Sequence, residues 1–336
     1  MAEHPIEVDV GEGETDSVIE DRLTAYTASL SSSVLDYPIE HGRRYHAFRP
    51  GAYAMPNDEK EMDRLDLTHH MMVKGIGNKL FYAPIDKEGV NVQRILDIGT
   101  GTGISFPADD EGTNQGAIEI GDRFPGAEVL GNDLSAIQPE WVPPNVKFEV
   151  DDVESEWTHV APFDYIFCRY MFACILDWPK LVKNVYDNLN PGGWAEFQDF
   201  DLLYYSEDGS LTDDHHTLKW LKALLPLADK IGREPCPGPK QEKWVRDAGF
   251  QNVSVKKFRF PLGPWPKDPL LKEVGMCNLA QVLEGLEAFS LRLFCDVGGW
   301  DEKEVTLLLS KVRKEVKNPK IHMQFDFYVT LGQKPE

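Results

Sequence analysis

The sequence of 336 residues predicts an α/β fold in which helices cover both faces of a mostly parallel, seven-stranded sheet. The apolar run at residues 94–98 stops abruptly at alternating glycines, as does the first strand of an open nucleotide-binding sheet. Further short apolar runs follow, and helical segments separate most of them. A content of 42% apolar and 27% charged residues is typical of a globular protein.

The first predicted strand runs into a glycine turn over residues 94–103. Gly99, Gly101 and Gly103 allow a tight turn and let a ligand approach the backbone without a β-carbon in the way. Their pattern, G-x-G-x-G, is not the dinucleotide fingerprint G-x-G-x-x-G, and no P-loop lysine follows. Asp97 places a carboxylate beside the ligand, which would repel a pyrophosphate but suits an ammonium or sulfonium group.

The second predicted strand ends at Asp133, followed by Leu134, where an acid can accept hydrogen bonds from ribose hydroxyls. Asp133 lies 34 residues after Gly99, against roughly 20 in a dinucleotide site. Residues 105–116 contain a proline, three acids and two glycines and are predicted to be an inserted loop. Without those 12 residues the offset is 22.

The third predicted strand, residues 146–150, is followed by two neighbouring acids, Asp151 and Asp152. A carboxylate there can accept a hydrogen bond from an adenine amino group, and the Val153 N–H can donate to a ring nitrogen. Three successive strand ends thus offer acids for a charged tail, a ribose and an adenine. This set favours S-adenosylmethionine over NAD.

The glycine turn, ILDIGTGTGI, looks like motif I of class I methyltransferases. Five longer stretches resemble the fungal LaeA-like methyltransferases: HGRRYHAFRPGAYAMPNDEKEMDRLDLTHH, GNDLSAIQPEWVPPNVKFEVDDVE, FDYIFCRYMF, LNPGGWAEFQDFD and PLGPWPKD. The similarity extends from about Ser29 to the C-terminus. It implies a class I methyltransferase (Rossmann-like) fold and S-adenosylmethionine as cofactor. Since the family includes global regulators of secondary metabolism, it also implies a regulatory partner of the velvet type.

The loop at residues 105–116 departs from the family, whose members pass directly from GTGI into the helix. Three interpretations stay open: acids that shield a sulfonium, a loop that extends into solvent, and a mistaken exon boundary in the sequence.

The charge balance and the cysteines narrow the functional classes. With 35 Lys and Arg against 56 Asp and Glu, the net charge is −21, which argues against direct binding to nucleic acid or an anionic membrane. The five cysteines are odd in number and form no C-x-x-C, so neither a disulfide framework nor a metal site is expected. The chain shows no signal peptide and no apolar run of roughly 18 residues, and we expect it in the cytoplasm or nucleus.

The predicted N-terminal region has two parts. Residues 1–28 are acidic and expected to be a disordered tail, and residues 29–90 are expected to form a helical lid before the methyltransferase domain at 91–336. Arginines in the lid could hold the methionine carboxylate of the cofactor, and tyrosines could line its pocket; packing of the lid is the alternative. The candidates are Arg43, Arg44, Tyr45, Arg49 and Tyr53.

His69 and His70 lie in a helix predicted over residues 58–80. Because neighbours in a helix are about 100° apart, only one of the two can face a pocket well. A catalytic role for one of them and a purely structural role both remain open. Metal binding is disfavoured, since no second ligand follows either histidine after three or four residues.

Two later strand ends supply further candidates. Arg169 follows the fourth predicted strand, at the edge of the sheet where ligands bind, and is expected to face cofactor or substrate. Asp199 ends the fifth strand and could take a proton from a nucleophile or bond the nearby backbone. Helical patterns at about 205–250 and 265–318 predict insertions that form a cap.

These observations predict a methyltransferase that transfers a methyl group from S-adenosylmethionine to a small molecule, such as a secondary metabolite, or to a protein. A LaeA-like regulatory interaction protein with little or no catalytic activity is the alternative. A dehydrogenase is disfavoured because the sixth position of the glycine motif is not glycine.

Overall fold

A seven-stranded sheet forms the centre of the protein, in a computed structural model that describes residues 36–49, 53–103 and 117–336. The predicted acidic tail (1–28) and inserted loop (105–116) therefore lie outside the described residues. The strands, in chain order, are β1 (Ile39–Glu40), β2 (Arg43–Arg44), β3 (Arg94–Ile98), β4 (Glu128–Asp133), β5 (Val146–Val150), β6 (Phe163–Arg169), β7 (Leu189–Tyr205), β8 (Gln251–Pro261) and β9 (Gln324–Gln333). The first two form a separate hairpin.

The order of the strands across the sheet is β5-β4-β3-β6-β7-β9-β8. The pairs from β5 to β7 are parallel, and only β9 runs against its two neighbours. The predicted mostly parallel, seven-stranded sheet is therefore confirmed. The chain moves outward from β3 in one direction through β4 and β5, and in the other from β6 onward, so β3 and β6 flank the topological switch point.

The helices of the described residues are α1 (Glu59–Gly75), α2 (Ala117–Arg123), α3 (Trp178–Asp187), α4 (His216–Lys230), α5 (Gly238–Ala248), α6 (Pro269–Leu291) and α7 (Glu302–Val316). A π-helical segment, Arg292–Val297, continues from α6. None of these helices is both long and apolar enough to cross a lipid bilayer.

Helix α1 begins where the sequence predicts and ends earlier. The Asp58 side chain caps it by accepting a hydrogen bond from the Glu61 N–H at 3.1 Å. The helix stops at Gly75 rather than continuing to residue 80. Gly77 follows with φ of +83°, a left-handed conformation that breaks a helix and favours glycine.

The sheet is covered on both faces, as expected for strands buried on either side. Along β3, Ile95 packs into one apolar cluster and Leu96 into the other, so the alternating side chains reach opposite layers. Helices α3 and α5 share one layer, where the rings of Trp178 and Trp244 stack with centroids 5.4 Å apart. Helix α5 belongs to the 205–250 segment, yet it packs against α3 rather than with the other cap helices.

Helices α1, α4, α6 and α7 pack together as a cap beside the carboxyl edge of the sheet. Arg64 of α1 reaches Gln281 of α6, with its Nη1 donating to Oε1 at 3.1 Å. Thr217 at the start of α4 donates through its backbone and hydroxyl to the carboxylate of Glu315 in α7. These bonds tie the N-terminal helix to the C-terminal cap over one edge of the sheet.

Candidate functional site

The glycine turn after β3 opens onto a cleft at the carboxyl edge of the sheet. Gly99, Gly101 and Gly103 have φ of +66°, +59° and +66°, where side chains are strained. A β-carbon on Gly99 would lie 2.3 Å from the sulfur of Met171, and one on Gly103 would lie 2.5 Å from the ring of Phe148. A β-carbon on Gly101 would meet nothing within 4 Å. Gly101 thus leaves room for a ligand against the backbone, while the other two glycines permit close packing.

Asp133, at the end of β4, is bound directly to the glycine turn. The Gly101 N–H donates to its Oδ2 at 3.0 Å, and the Ser135 N–H donates to its Oδ1 at 2.9 Å. Burial raises the pKa of this carboxyl to about 6, although the backbone donors oppose that shift. The strand end and the turn therefore form one bonded unit.

Asp97, the fourth residue of β3, presents a second carboxylate to the cleft. The Thr100 hydroxyl donates to its Oδ2 at 2.8 Å. Burial raises the Asp97 pKa to about 6, against the lowering effects of this bond and of the Arg169 charge. Asp66 in α1 is a third carboxyl here; it accepts from the Thr102 hydroxyl at 2.5 Å, and burial raises its pKa to about 6.

Arg169, at the end of β6, lies across the cleft from the glycine turn. Its guanidinium Nη2 lies 2.6 Å from Nδ1 of His69 in α1. Burial lowers its pKa to about 10, against the effect of Asp97, first among the acids that raise it. Its Nη1 is buried and has no hydrogen-bond partner among the described residues. A buried guanidinium N–H without a partner in a cleft is well suited to an anionic ligand group.

The cleft has two halves that share Gly99. In what we call the glycine-side half, Asp66, His69, Asp97, Gly99, Gly101, Gly103 and Arg169 lie together. In the Asp152-side half, the lining includes Tyr53, Gly99, Asp133, Leu134, Asp152, Val153 and Cys174. The register explains this convergence: Ile98 pairs with Asn132 on one side and Cys168 on the other, so the parallel strands end at the same level.

Arg49 lies at the Asp152-side end, with φ of +54° and an exposed side chain. Its Nε is 3.7 Å from Oδ2 of Asp152, and its Nη2 donates to the Ser155 hydroxyl at 3.2 Å. Arg49 therefore lies beside the strand end at which the sequence predicts adenine binding. The sequence had instead suggested that Arg49 could hold the methionine carboxylate of the cofactor.

Three further candidates do not line either half of the cleft. Tyr45 is buried and packs beneath the guanidinium of Arg292, whose carbon is 4.8 Å from the ring centroid. His70 lies in α1 next to His69, outside the residues that line the cleft. Asp199 is buried, and burial raises its pKa to about 7.

Asp199 bonds the backbone rather than facing the cleft. Its Oδ2 accepts from the Met171 N–H at 2.8 Å, and its Oδ1 accepts from the Phe200 N–H at 2.9 Å. These bonds hold the turn after Arg169, where Tyr170 adopts φ of +62°. Of the two interpretations left open by the sequence, this geometry favours the backbone-bonding one.

Asp66 and Tyr170 line the cleft, and sequence reasoning did not select them. Asp66 precedes His69 by three residues, which puts both on one face of a helix; that spacing was the available signal. Tyr170 directly follows Arg169, but its direction depends on the unusual backbone conformation just described. Within the described residues, no group of three or more His, Cys, Asp or Glu side chains is arranged to hold a metal ion.

Comparison with known proteins places the chain among related sequences. The sequence profile of a family described as a methyltransferase domain matches residues 39–255. Methyltransferase pytC of Aspergillus terreus is 46% identical over 308 residues, 91% of each chain. Secondary metabolism regulator LAE1 of Cochliobolus heterostrophus is 34% identical over 302 residues, 89% of this chain and 95% of its own.

Among solved structures, phosphoethanolamine N-methyltransferase 2 of Haemonchus contortus matches 73% of this chain and 49% of its own, at 19% identity and a TM-score of 0.43. This structural likeness is distant. The family of the chain follows instead from the sequence profile, the relatives and the strand order. The chain belongs to the fungal LaeA-like family of class I methyltransferases, whose cofactor is S-adenosylmethionine.

Proposed function

We propose that the cleft binds S-adenosylmethionine along both of its halves and that the chain methylates a small-molecule acceptor. The observation that carries this proposal is the open space over Gly101, flanked by Asp133 on one side and by Asp97 and Arg169 on the other. A ligand with a ribose in its middle and a charged amino-acid tail fits that arrangement of groups.

The residues that line the cleft would bind three parts of the cofactor: its amino-acid tail, its ribose and its adenine. Asp97 would attract its ammonium group, and the free Nη1 of Arg169 would donate to its carboxylate. Asp133 would accept hydrogen bonds from the ribose hydroxyls. Asp152 and the Val153 N–H would bond the adenine.

The protein mainly orients the two reactants and keeps water out of the cleft. The bound cofactor supplies an electrophilic methyl group on sulfur. His69 holds Arg169 in place through Nδ1, and Asp199 holds the turn that carries Tyr170 and Met171. Both are positioning residues in this scheme, since neither must move a proton.

Cofactor affinity is expected to increase as the pH is raised from 5 to 7.5. Asp97 and Asp133 have pKa values of about 6 without ligand, so both are mostly protonated at pH 5. An ammonium group and ribose hydroxyls bind the ionised carboxylates, and each acid should reduce affinity about tenfold at pH 5. Isothermal titration of the full chain with S-adenosylhomocysteine measures this dependence.

The stability of the ligand-free protein is expected to change with pH in the opposite direction to the cofactor affinity, and to fall as the pH is raised. Since burial raises the folded-state pKa of both acids above 3.8, their contribution to stability is present below pH 3.8 and is lost as the pH rises through about 6.

Asp97→Asn is the control for the affinity measurement, because it removes one titrating group and should flatten the dependence of cofactor affinity on pH. No binding by folded protein, or an affinity independent of pH, would contradict the proposed site.

His69 and His70 make a matched pair of variants on one helix. His69→Ala is expected to weaken S-adenosylhomocysteine binding about tenfold, because Arg169 loses the ring that holds its Nη2. His70→Ala should bind within about twofold of wild type, since His70 does not line the cleft. Equal effects of the two substitutions on the dissociation constant would show that His69 has no specific role in cofactor binding.

A second candidate function is that of a regulatory protein with a velvet-type partner in the nucleus. Its support is the likeness, at 34% identity over nearly the full chain, to a relative named as a secondary metabolism regulator. Gly101→Asp, which should prevent cofactor binding, separates this function from catalysis.

A further inference from the structure

A second cavity lies between the cap helices and the end of the sheet, next to the cofactor cleft. We call it the cap cavity. Helix α4 contributes Trp220 and Leu224, α6 contributes Phe289, and the strands contribute Phe200 and Phe325. The π-helical segment after α6 adds Leu293, an irregularity of a kind that often occurs at functional sites. Its wall is therefore almost wholly aliphatic and aromatic.

The few polar groups on this wall are mostly occupied already. The indole N–H of Trp220 donates to the Ser290 hydroxyl at 2.9 Å. The Gln281 amide accepts from Arg64 at 3.1 Å and donates to Asn278 at 2.9 Å. A ligand in this cavity therefore finds an apolar surface with little capacity for further hydrogen bonds.

Tyr204 is the exception. Its side chain lines the cavity, is 7% exposed, and stacks on Phe325 with ring centroids 5.2 Å apart. Within the described residues its hydroxyl makes no hydrogen bond. Because a buried tyrosine hydroxyl normally finds a partner, this group is available to a polar atom of a bound molecule.

Three segments of chain separate the cap cavity from the cofactor cleft and line both. Tyr170 lines the cap cavity and the glycine-side half. Met55 and Ala173 line the cavity, while their near neighbours Tyr53 and Cys174 line the Asp152-side half. A molecule in the cap cavity would therefore reach the cofactor cleft past the ring of Tyr170.

We propose that the cap cavity is the acceptor site and that it takes an aromatic, largely apolar small molecule bearing a hydroxyl group, rather than a protein side chain. This inference depends on the proposed function. The rings of the acceptor pack against the aromatic wall, and one polar atom bonds Tyr204. In the reaction, an acceptor oxygen forms a bond to the methyl carbon and the carbon–sulfur bond breaks. That electron pair stays on sulfur, and the hydroxyl proton is lost to the bulk solvent outside the cleft.

The first test fills the cavity. Ala228 and Ala223 lie on the same helix; Ala228 lines the cavity, whereas Ala223 does not line it and is a partly buried residue packed against the core. The probe is 2-naphthol, titrated into full-length protein saturated with S-adenosylhomocysteine. Ala228→Leu is expected to weaken naphthol binding at least tenfold, and Ala223→Leu less than twofold. Equal affinities in both variants would overturn the proposal.

The second test uses the hydroxyl of Tyr204. Tyr204→Phe keeps the ring and its stacking but removes the unpartnered group. It should weaken 2-naphthol binding about threefold to tenfold and leave the binding of naphthalene, which has no hydroxyl, unchanged. Equal losses for the two probes would show that Tyr204 only packs.

Failure of this inference differs from failure of the proposed function. Protein that binds S-adenosylhomocysteine but not 2-naphthol would overturn the assignment of the cap cavity and leave the cofactor site standing. Methylation of a peptide by the Ala228→Leu variant at the wild-type rate would also overturn it, because the acceptor would then bypass the cavity. Cofactor binding in all the variants serves as the check that each is folded.

Discussion

Gly101→Asp is expected to abolish cofactor binding, with a loss of affinity of at least 100-fold. A side chain at this position would enter the open space over the glycine turn. The new carboxylate would also lie beside Asp133, which accepts a hydrogen bond from the Gly101 N–H. Titration with S-adenosylhomocysteine measures the loss. Aspartate tolerates a positive φ better than most residues, so the fold should survive.

Gly89→Asp is the matched control for this variant. Gly89 has φ of +85°, lies in an exposed turn and, like Gly101, has nothing within 4 Å of a built β-carbon. The same charge and the same backbone cost are thus introduced away from the cleft, and affinity should stay within about twofold. A Gly101→Asp protein that binds cofactor normally would contradict the site.

The same variant distinguishes the two candidate functions. If the chain acts by methyl transfer, Gly101→Asp loses its function in cells along with cofactor binding. If it acts only through a regulatory partner, folded Gly101→Asp keeps the partner and its cellular effect. Gly89→Asp should resemble wild type under either function.

Arg64→Met is expected to lower the free energy of unfolding by about 3–5 kcal/mol. The Arg64 guanidinium is buried and bonds Glu61, itself 1% exposed, at 2.5 Å. It also donates to the Tyr170 hydroxyl at 3.0 Å and to Gln281. Its removal leaves a buried carboxylate whose remaining cation, Arg43, has Nη2 at 3.9 Å. Chemical denaturation monitored by circular dichroism measures the change.

Two further variants check the cause. Glu61→Gln combined with Arg64→Met removes the buried carboxylate that has lost its main cation, and should recover part of the lost free energy of unfolding. Arg246→Met breaks an ion pair with Glu242 in which both side chains are about half exposed, and should cost less than about 1 kcal/mol. If Arg64→Met costs no more than Arg246→Met, the buried network does not stabilise the cap.

The acids at the strand ends were predictable because they depend on chain order and strand direction. Parallel strands end at one edge of a sheet, so Asp97, Asp133 and Asp152 had to converge once the three strands were recognised. The closing strand β9 and the cap helices were also predicted, since their periodic patterns are long. Helix ends differed where local backbone conformation decided them, as at Gly75.

The side chains that depend on contacts distant in sequence were harder to place. Tyr45 and Asp199 belong to segments near the site, yet one packs under Arg292 and the other bonds the backbone of a turn. Asp66 enters the cleft because α1 packs over the glycine turn, where Thr102 donates to it. Such directions depend on how elements pack, which residue type and spacing do not encode.

The sequence by itself determined the sheet, the strand-end acids and the class of cofactor, because each depends on local pattern and on the fixed geometry of parallel strands. Only the tertiary structure decided which histidine faces Arg169 and that an apolar cavity adjoins the cofactor cleft. The physical reason is that this cavity is enclosed by α4, α6 and two strands from distant parts of the chain. Its shape arises from their packing and from no single stretch of residues.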